Sequence, residues 1–144
     1  MTKFIKLVLS LITFLLLINN SFADDYYEQA LKEFKKKDYD KAKFLFERNI
    51  VFNPKDANSY LYLAKIFQEK ENKSEEEKNL NTTLLLDPSN EDATLRLMDI
   101  AVEKSNYSEV KELSEKFVKI CKNLCKENDR ILKSLKDLEP KNDS

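Results

Sequence analysis

The sequence predicts an all-α protein, an α-solenoid of about three helical hairpins followed by a C-terminal capping helix. The chain contains no glycine, and tight β-hairpin turns usually need the positive φ that glycine supplies. Turn signals also repeat, since Asn53-Pro54 and Asp87-Pro88 lie 34 residues apart. Between these turns, the apolar residues have the spacing of one face of a helix.

The first 23 residues predict a cleavable signal peptide, because two early lysines precede an uncharged run over 7–18. Ser21 and Ala23 place small side chains where a signal peptidase requires them. An uncleaved membrane anchor is the alternative, but a bilayer-spanning helix needs about 20 apolar residues, more than this run supplies. We therefore expect cleavage after Ala23 and a mature chain in the bacterial periplasm or outside the cell.

The rest of the chain divides into a helical domain over 24–138 and a polar tail over 139–144, which we expect to be disordered. Tyr60, Leu63, Ala64 and Phe67 show the helical spacing most clearly. Prolines end helices because the residue before them is pushed out of the α region. These signals predict helices at about 25–36, 40–52, 57–70, 74–86, 91–104, 108–120 and 126–138.

The turns inside the hairpins contain polar residues that favour helix starts. Their side chains can accept a hydrogen bond from an amide of the first turn, so the expected N-caps are Asp40, Ser74 and Ser108. Ser74 with Glu77 also matches the capping-box pattern.

The 34-residue unit resembles the tetratricopeptide repeat, and its middle copy over 57–90 carries the resemblance best. There, the aromatic, leucine, small and aromatic positions of the first helix hold Tyr60, Leu63, Ala64 and Phe67, and Pro88 closes the unit. The units before and after match at Ala30, Tyr39, Ala42, Phe46, Pro54, Leu97, Ala101 and Tyr107. The resemblance covers roughly 24–122.

Two departures from the family pattern concern close packing. Glu76 stands where the family has a small residue that lets paired helices approach, so the second hairpin is expected to be splayed or shifted. A second position that is usually alanine holds Asn49, Thr83 and Phe117 in the three units.

The resemblance implies binding of a protein or peptide on the concave surface lined by the first helix of each hairpin. By register, the expected groove residues are Tyr27, Leu31, Phe34, Lys35, Asn58, Leu61, Lys65, Gln68, Asp92, Leu95, Asp99 and Val102. Apolar members of this set favour an amphipathic helix or an extended apolar segment as ligand. The alternative is that some of these residues merely pack against the neighbouring hairpin.

Chaperone-binding members of the family hold a C-terminal carboxylate in a clamp of basic and asparagine residues. Among these groove residues, we take Lys65 and Asn58 as suitable for such a clamp. Asp92 and Asp99 would oppose an acidic ligand. The resemblance therefore does not extend to that clamp.

The composition argues against catalysis and against nucleic acid as a partner. The chain has no histidine, hence no imidazole base or histidine metal ligand, and no glycine-rich phosphate loop. Its net charge is −1 with both signs interspersed, so no basic face is expected. We expect neither a cofactor nor a metal site.

Cys121 and Cys125 form the one pair with potential thiol chemistry. A structural disulfide across the turn before the last helix is the favoured interpretation, since an exported compartment permits oxidation. Free or intermolecular thiols, and a redox or metal-binding pair, are the alternatives.

The expected function is that of an exported adaptor or scaffold for protein complexes of the cell envelope. One alternative is a secreted factor that binds a protein of a host or neighbouring cell, and a remote one is a thiol-dependent enzyme using Cys121 and Cys125. An uncovered face of the first hairpin near Tyr26 and Tyr27 would favour a homodimer.

Overall fold

The computed structural model describes residues 26–138, and the regular structure in that part is all α-helical. The helices are α1 (26–35), α2 (Tyr39–Phe52), α3 (Ala57–Glu69), α4 (Lys73–Leu86), α5 (Glu91–Glu103), α6 (Tyr107–Ile120) and α7 (Cys125–Leu138). Successive helices form the hairpins α1–α2, α3–α4 and α5–α6, with α7 following the third. Within the described range, each predicted helix end agrees to within one residue.

The predicted signal peptide over 1–23 and the predicted tail over 139–144 lie outside the described residues. Among the helices of the described part, none combines the length and apolar character needed to cross a bilayer.

The three turns inside the hairpins share one backbone conformation. Lys37, Glu71 and Ser105, spaced by 34 residues, have φ of 63°, 56° and 55°. In each turn the next N–H bonds back to the preceding helix, as from Asn72 N to Phe67 O at 2.9 Å. This is the Schellman arrangement that glycine usually enters. The chain therefore builds its left-handed turns without glycine.

The helices after these turns begin one residue earlier than predicted, and the expected N-caps are wrong. The residue after the left-handed position already points its side-chain oxygen at the first turn, as in Asn72 Oδ1 accepting from Glu75 N at 3.2 Å. The observed N-caps are Asp38, Asn72 and Asn106. The expected caps Asp40, Ser74 and Ser108 lie inside their helices, so the Ser74–Glu77 capping box does not form.

Two hydrophobic clusters hold the hairpins together. The first joins the first and second hairpins through Ala30, Ala42, Leu45, Phe46, Leu63 and Ile66. The second joins the second and third hairpins to α7, whose Ile131 and Leu135 are almost fully buried. The last helix thus covers the apolar side of the third hairpin, as a capping helix should. Asn49, Thr83 and Phe117, at the position that is usually alanine, are all buried.

The expected splaying of the second hairpin is wrong. Among helices α2 to α7, the contact between α3 and α4 is the most extensive. Glu76 is only 1 % exposed, and its carboxylate accepts two hydrogen bonds from Arg96 of α5. A large acidic residue is accommodated here because a cation of the next hairpin neutralises it.

Candidate protein-binding surface

A pocket of about 230 Å³ opens between α3 and α5, the first helices of the second and third hairpins. Each helix contributes residues at the spacing i, i+3, i+4, i+7, so both present one face to the pocket. The apolar lining consists of Leu61, Ala64, Leu80 and Leu95. The polar lining consists of Lys65, Gln68, Glu76, Asp92, Arg96 and Asp99.

The two cations of the pocket are both paired with carboxylates. Lys65 Nζ lies 2.8 Å from Asp92 Oδ2, which ties α3 to α5 across the pocket. Arg96 donates to both carboxylate oxygens of Glu76, and this hydrogen bonding raises the pKa of the guanidinium above its ordinary value. The polar lining is therefore an ordered set of ion pairs around an apolar floor.

Asp99 is held from outside the pocket. Arg130 of α7 donates to Asp99 Oδ1 at 3.4 Å, and the same guanidinium bonds Glu127 at 2.7 Å. The capping helix therefore reaches one edge of the candidate surface.

The structure divides the predicted groove residues among several places. Six of them line the pocket together, namely Leu61, Lys65, Gln68, Asp92, Leu95 and Asp99. Tyr27 and Asn58 line a separate small cavity beside the α2–α3 turn. Leu31 and Lys35 line an open depression on α1. Val102 packs partly buried against the second hydrophobic cluster.

Tyr27 and Phe34 belong to an aromatic cluster between the first two hairpins. The ring of Phe34 is 5.1 Å from that of Tyr62, and Tyr27 contacts Phe46 at 5.8 Å and Tyr62 at 6.3 Å. Burial raises the pKa of Tyr27 to about 12. For these two predicted groove residues, packing against the neighbouring hairpin is the observed arrangement.

Sequence reasoning missed Ala64, Glu76, Leu80 and Arg96 as parts of the pocket. For Glu76 and Arg96, the sequence contained a signal that could have found them. A carboxylate at a position that must be buried requires a charge partner, and Arg96 is on the concave stripe of the next first helix. Leu80 carried no comparable signal, because burial alone does not say which cavity a leucine borders.

Cys121 follows the last residue of α6 and Cys125 is the first residue of α7, so the pair flanks the turn between these helices. The Cα atoms of Cys121 and Cys125 are 5.3 Å apart, within the range that a disulfide can span, and their sulfur atoms are adjacent. The part of the chain that the structure describes holds no group of three or more His, Cys, Asp or Glu arranged for a metal ion.

The backbone between the two cysteines is bound by Glu91 at the start of α5. Its carboxylate accepts from the N–H groups of Leu124 and Lys122, each at 2.8 Å, and of Asn123 at 3.1 Å. These bonds, that from Leu124 foremost, hold the pKa of Glu91 below its ordinary value.

Comparison with known proteins gives one consistent result. No family model and no curated protein matches the chain, but many solved structures do. Yersinia enterocolitica SycD in complex with a peptide of the translocator YopD has a TM-score of 0.69 at 13 % identity, over 81 % of this chain and 92 % of that one. The chain has the tetratricopeptide-repeat fold.

Two further tetratricopeptide domains agree equally well. The TPR2B domain of yeast Sti1, in a complex with pHsp70, has a TM-score of 0.71 at 18 % identity, over 80 % of this chain and 96 % of that one. The first such domain of Spaghetti (RPAP3), bound to the HSP90 peptide SRMEEVD, has 0.70 at 19 %, over 82 % and 94 %. Within this tetratricopeptide fold, α3 and α5 are first helices, so the pocket lies on the predicted surface.

Proposed function

We propose that the protein is an exported adaptor that binds a protein or peptide partner in the pocket between α3 and α5 and performs no chemistry. The pocket itself carries the proposal, since it combines an apolar floor with a polar rim on the first-helix surface. Its size suits one anchoring side chain of a larger partner better than a whole small molecule. Two of the similar structures, those of Spaghetti and SycD, hold peptides.

The ion pairs of the pocket select against an acidic ligand. A ligand carboxylate would have to take Lys65 from Asp92 or Arg96 from Glu76, leaving an aspartate or a buried glutamate without its partner. Asp92 and Asp99 on the rim would repel it as well. The partner is therefore a segment with an apolar anchor residue and no terminal carboxylate at the pocket.

Site-specific photo-cross-linking tests the proposed surface. A photoreactive residue replaces Gln68, which lines the pocket and is exposed. The matched control carries it at Val118 on α6, which is 62 % exposed and lies outside the pocket. We expect a reproducible protein adduct from position 68 in cells that make the protein and none of that mass from position 118. The same adduct from both positions, or from neither, would overturn the proposal.

Export to the cell envelope is part of the same proposal and rests on the residue pattern before Asp24. N-terminal sequencing of protein isolated from its native cells checks it, with a mature start at Asp24 expected. Comparing periplasm with culture medium then separates an envelope adaptor from a secreted factor. A chain that keeps its first residues would contradict cleavage.

We also propose that Cys121 and Cys125 form a structural disulfide in the exported protein. The short distance between their Cα atoms supports this bond, and an oxidising compartment would allow it.

A further inference from the structure

A second groove, of about 490 Å³, lies on the other helices of the solenoid, between α4 and α6. None of its lining residues belongs to the pocket between α3 and α5. Its apolar walls are Leu84, Leu85, Pro88, Leu97 and Leu113. The charged lining residues are on α6, where Lys116 pairs with Glu112 at 2.7 Å and Glu109 stands beside them.

The groove exists because the first helix of the third repeat lacks an aromatic residue at one position. The equivalent position, 34 residues earlier, holds Tyr60, whose hydroxyl reaches the carbonyl of Pro54 at 3.4 Å. In the third repeat the position holds Thr94, which bonds within its own helix to Asn90 O at 2.9 Å. Its side chain is too short to reach Pro88, the counterpart of Pro54. The space that a tyrosine ring fills in the second repeat is left beside Pro88.

The first hairpin has exposed aromatic and aliphatic side chains, whereas the groove has an unfilled apolar space. Phe44, Val51 and Phe52 of α2 are 57 %, 75 % and 49 % exposed. The guanidinium of Arg48 lies among them, 5.3 Å from the ring centre of Tyr26 and 5.9 Å from that of Phe44. Among the described residues, no carboxylate pairs with Arg48. We name these five residues the aromatic ridge.

We propose that the aromatic ridge of one copy of the protein docks into the α4–α6 groove of another. The ridge supplies the aromatic ring that the groove lacks. Arg48, which has no carboxylate partner among the described residues, would face Glu109, whose carboxylate accepts a hydrogen bond from Asn106 at 2.6 Å but forms no ion pair with a described residue. Both apolar desolvation and charge complementarity favour this contact.

This contact joins two different surfaces, so it is heterologous. Ridge and groove lie on different hairpins, and one copy can therefore use both at once. Each added copy leaves a free ridge at one end and a free groove at the other. Such contacts build rings or open chains instead of a closed symmetric dimer.

Sedimentation velocity of the purified, folded protein tests the proposal over a concentration series. The ridge variant is Phe44→Ser with Arg48→Glu, and the groove variant is Leu85→Lys, at a side chain that is 81 % exposed. We expect the wild-type mass to increase with concentration and each variant to associate about tenfold or more weakly. An equimolar mixture of the two variants should form a one-to-one dimer, because one intact ridge and one intact groove remain.

Two further variants sharpen the test. Val118→Ser removes a comparable exposed side chain outside both surfaces and should leave association unchanged. Thr94→Tyr should fill the groove and abolish association. If this variant fails to fold, Leu85→Lys still decides the matter. Each of three results would overturn the proposal: a wild-type chain that stays monomeric at every concentration, a variant mixture that forms no dimer, or an equal loss of association in Val118→Ser. A groove that binds an aromatic residue of another protein, and not of a second copy, would give the first of these results.

Discussion

Glu76 and Arg96 join the second and third hairpins through two hydrogen bonds, from Nε to Oε1 at 2.5 Å and from Nη2 to Oε2 at 3.2 Å. Glu76 is a member of α4 and almost fully buried, whereas Arg96 is on α5 and borders the pocket. The planar guanidinium matches the carboxylate in a two-pronged contact. One ion pair therefore stabilises the hairpin interface and shapes the candidate binding surface.

Replacing one member of this pair should destabilise the protein far more than replacing both. Glu76→Gln leaves Arg96 facing a neutral amide in a largely buried site, and we expect a loss of about 3 kcal/mol in the free energy of unfolding. The double variant Glu76→Met with Arg96→Met buries apolar groups instead and should recover most of that loss. Urea denaturation at neutral pH measures both. A single variant within experimental error of wild type would show that the pair contributes little.

The helix pattern could be predicted from the sequence because proline and apolar spacing act locally. The turn between Leu86 and Glu91, for example, follows from Asp87-Pro88 alone. The exact helix starts could not, because the left-handed conformation of Glu71 shifts the cap to Asn72. Because glycine usually occupies such left-handed positions, a sequence with Lys, Glu or Ser there does not indicate the left-handed conformation.

The candidate surface could be predicted only in part. Spacing shows which residues share a helix face, but it does not show how far the neighbouring helix covers that face. Leu61 and Leu95 border an open pocket, whereas Phe34, at an equally plausible position, packs against Tyr62. The α4–α6 groove depends on the short side chain of Thr94 at the position that Tyr60 occupies in the second repeat, and residue spacing does not show whether that space is filled.

Glycine at a left-handed turn should stabilise the protein. Glu71 has φ of 56°, a conformation that costs a residue with a Cβ atom about 1 kcal/mol. Glycine avoids this cost but loses more freedom on folding, so we expect Glu71→Gly to add about 0.5 kcal/mol to the free energy of unfolding. The control Glu115→Gly, at an exposed position inside α6, should lower it by about 1 kcal/mol. Thermal unfolding of both variants tests the sign, and destabilisation by Glu71→Gly would contradict the backbone argument.

The hydrogen bonds of Glu91 predict a loss of stability in acid. Because its folded-state pKa lies below the ordinary value of 4.5, the contribution is present above pH 4.5 and is lost as the pH falls through the folded-state pKa. Glu91→Gln should therefore be less stable than wild type at pH 7 and should lose less on acidification. Urea titrations from pH 7 to pH 3 measure this difference. Glu115→Gln, at a residue without an ion-pair partner in the described part of the chain, should follow the wild-type curve.

The proposed disulfide predicts a dependence of stability on reductant. A bridge across so short a loop restricts the unfolded chain modestly, so reduction should cost about 2 kcal/mol. The variant Cys121→Ser with Cys125→Ser should show the same loss without reductant, and it should not respond to reductant. Alkylation followed by mass measurement checks the bond directly. Modification of both thiols in unreduced, exported protein would rule out the bridge. Because Glu91 binds the backbone between the cysteines, the double variant should also lose part of the acid dependence that Glu91 contributes.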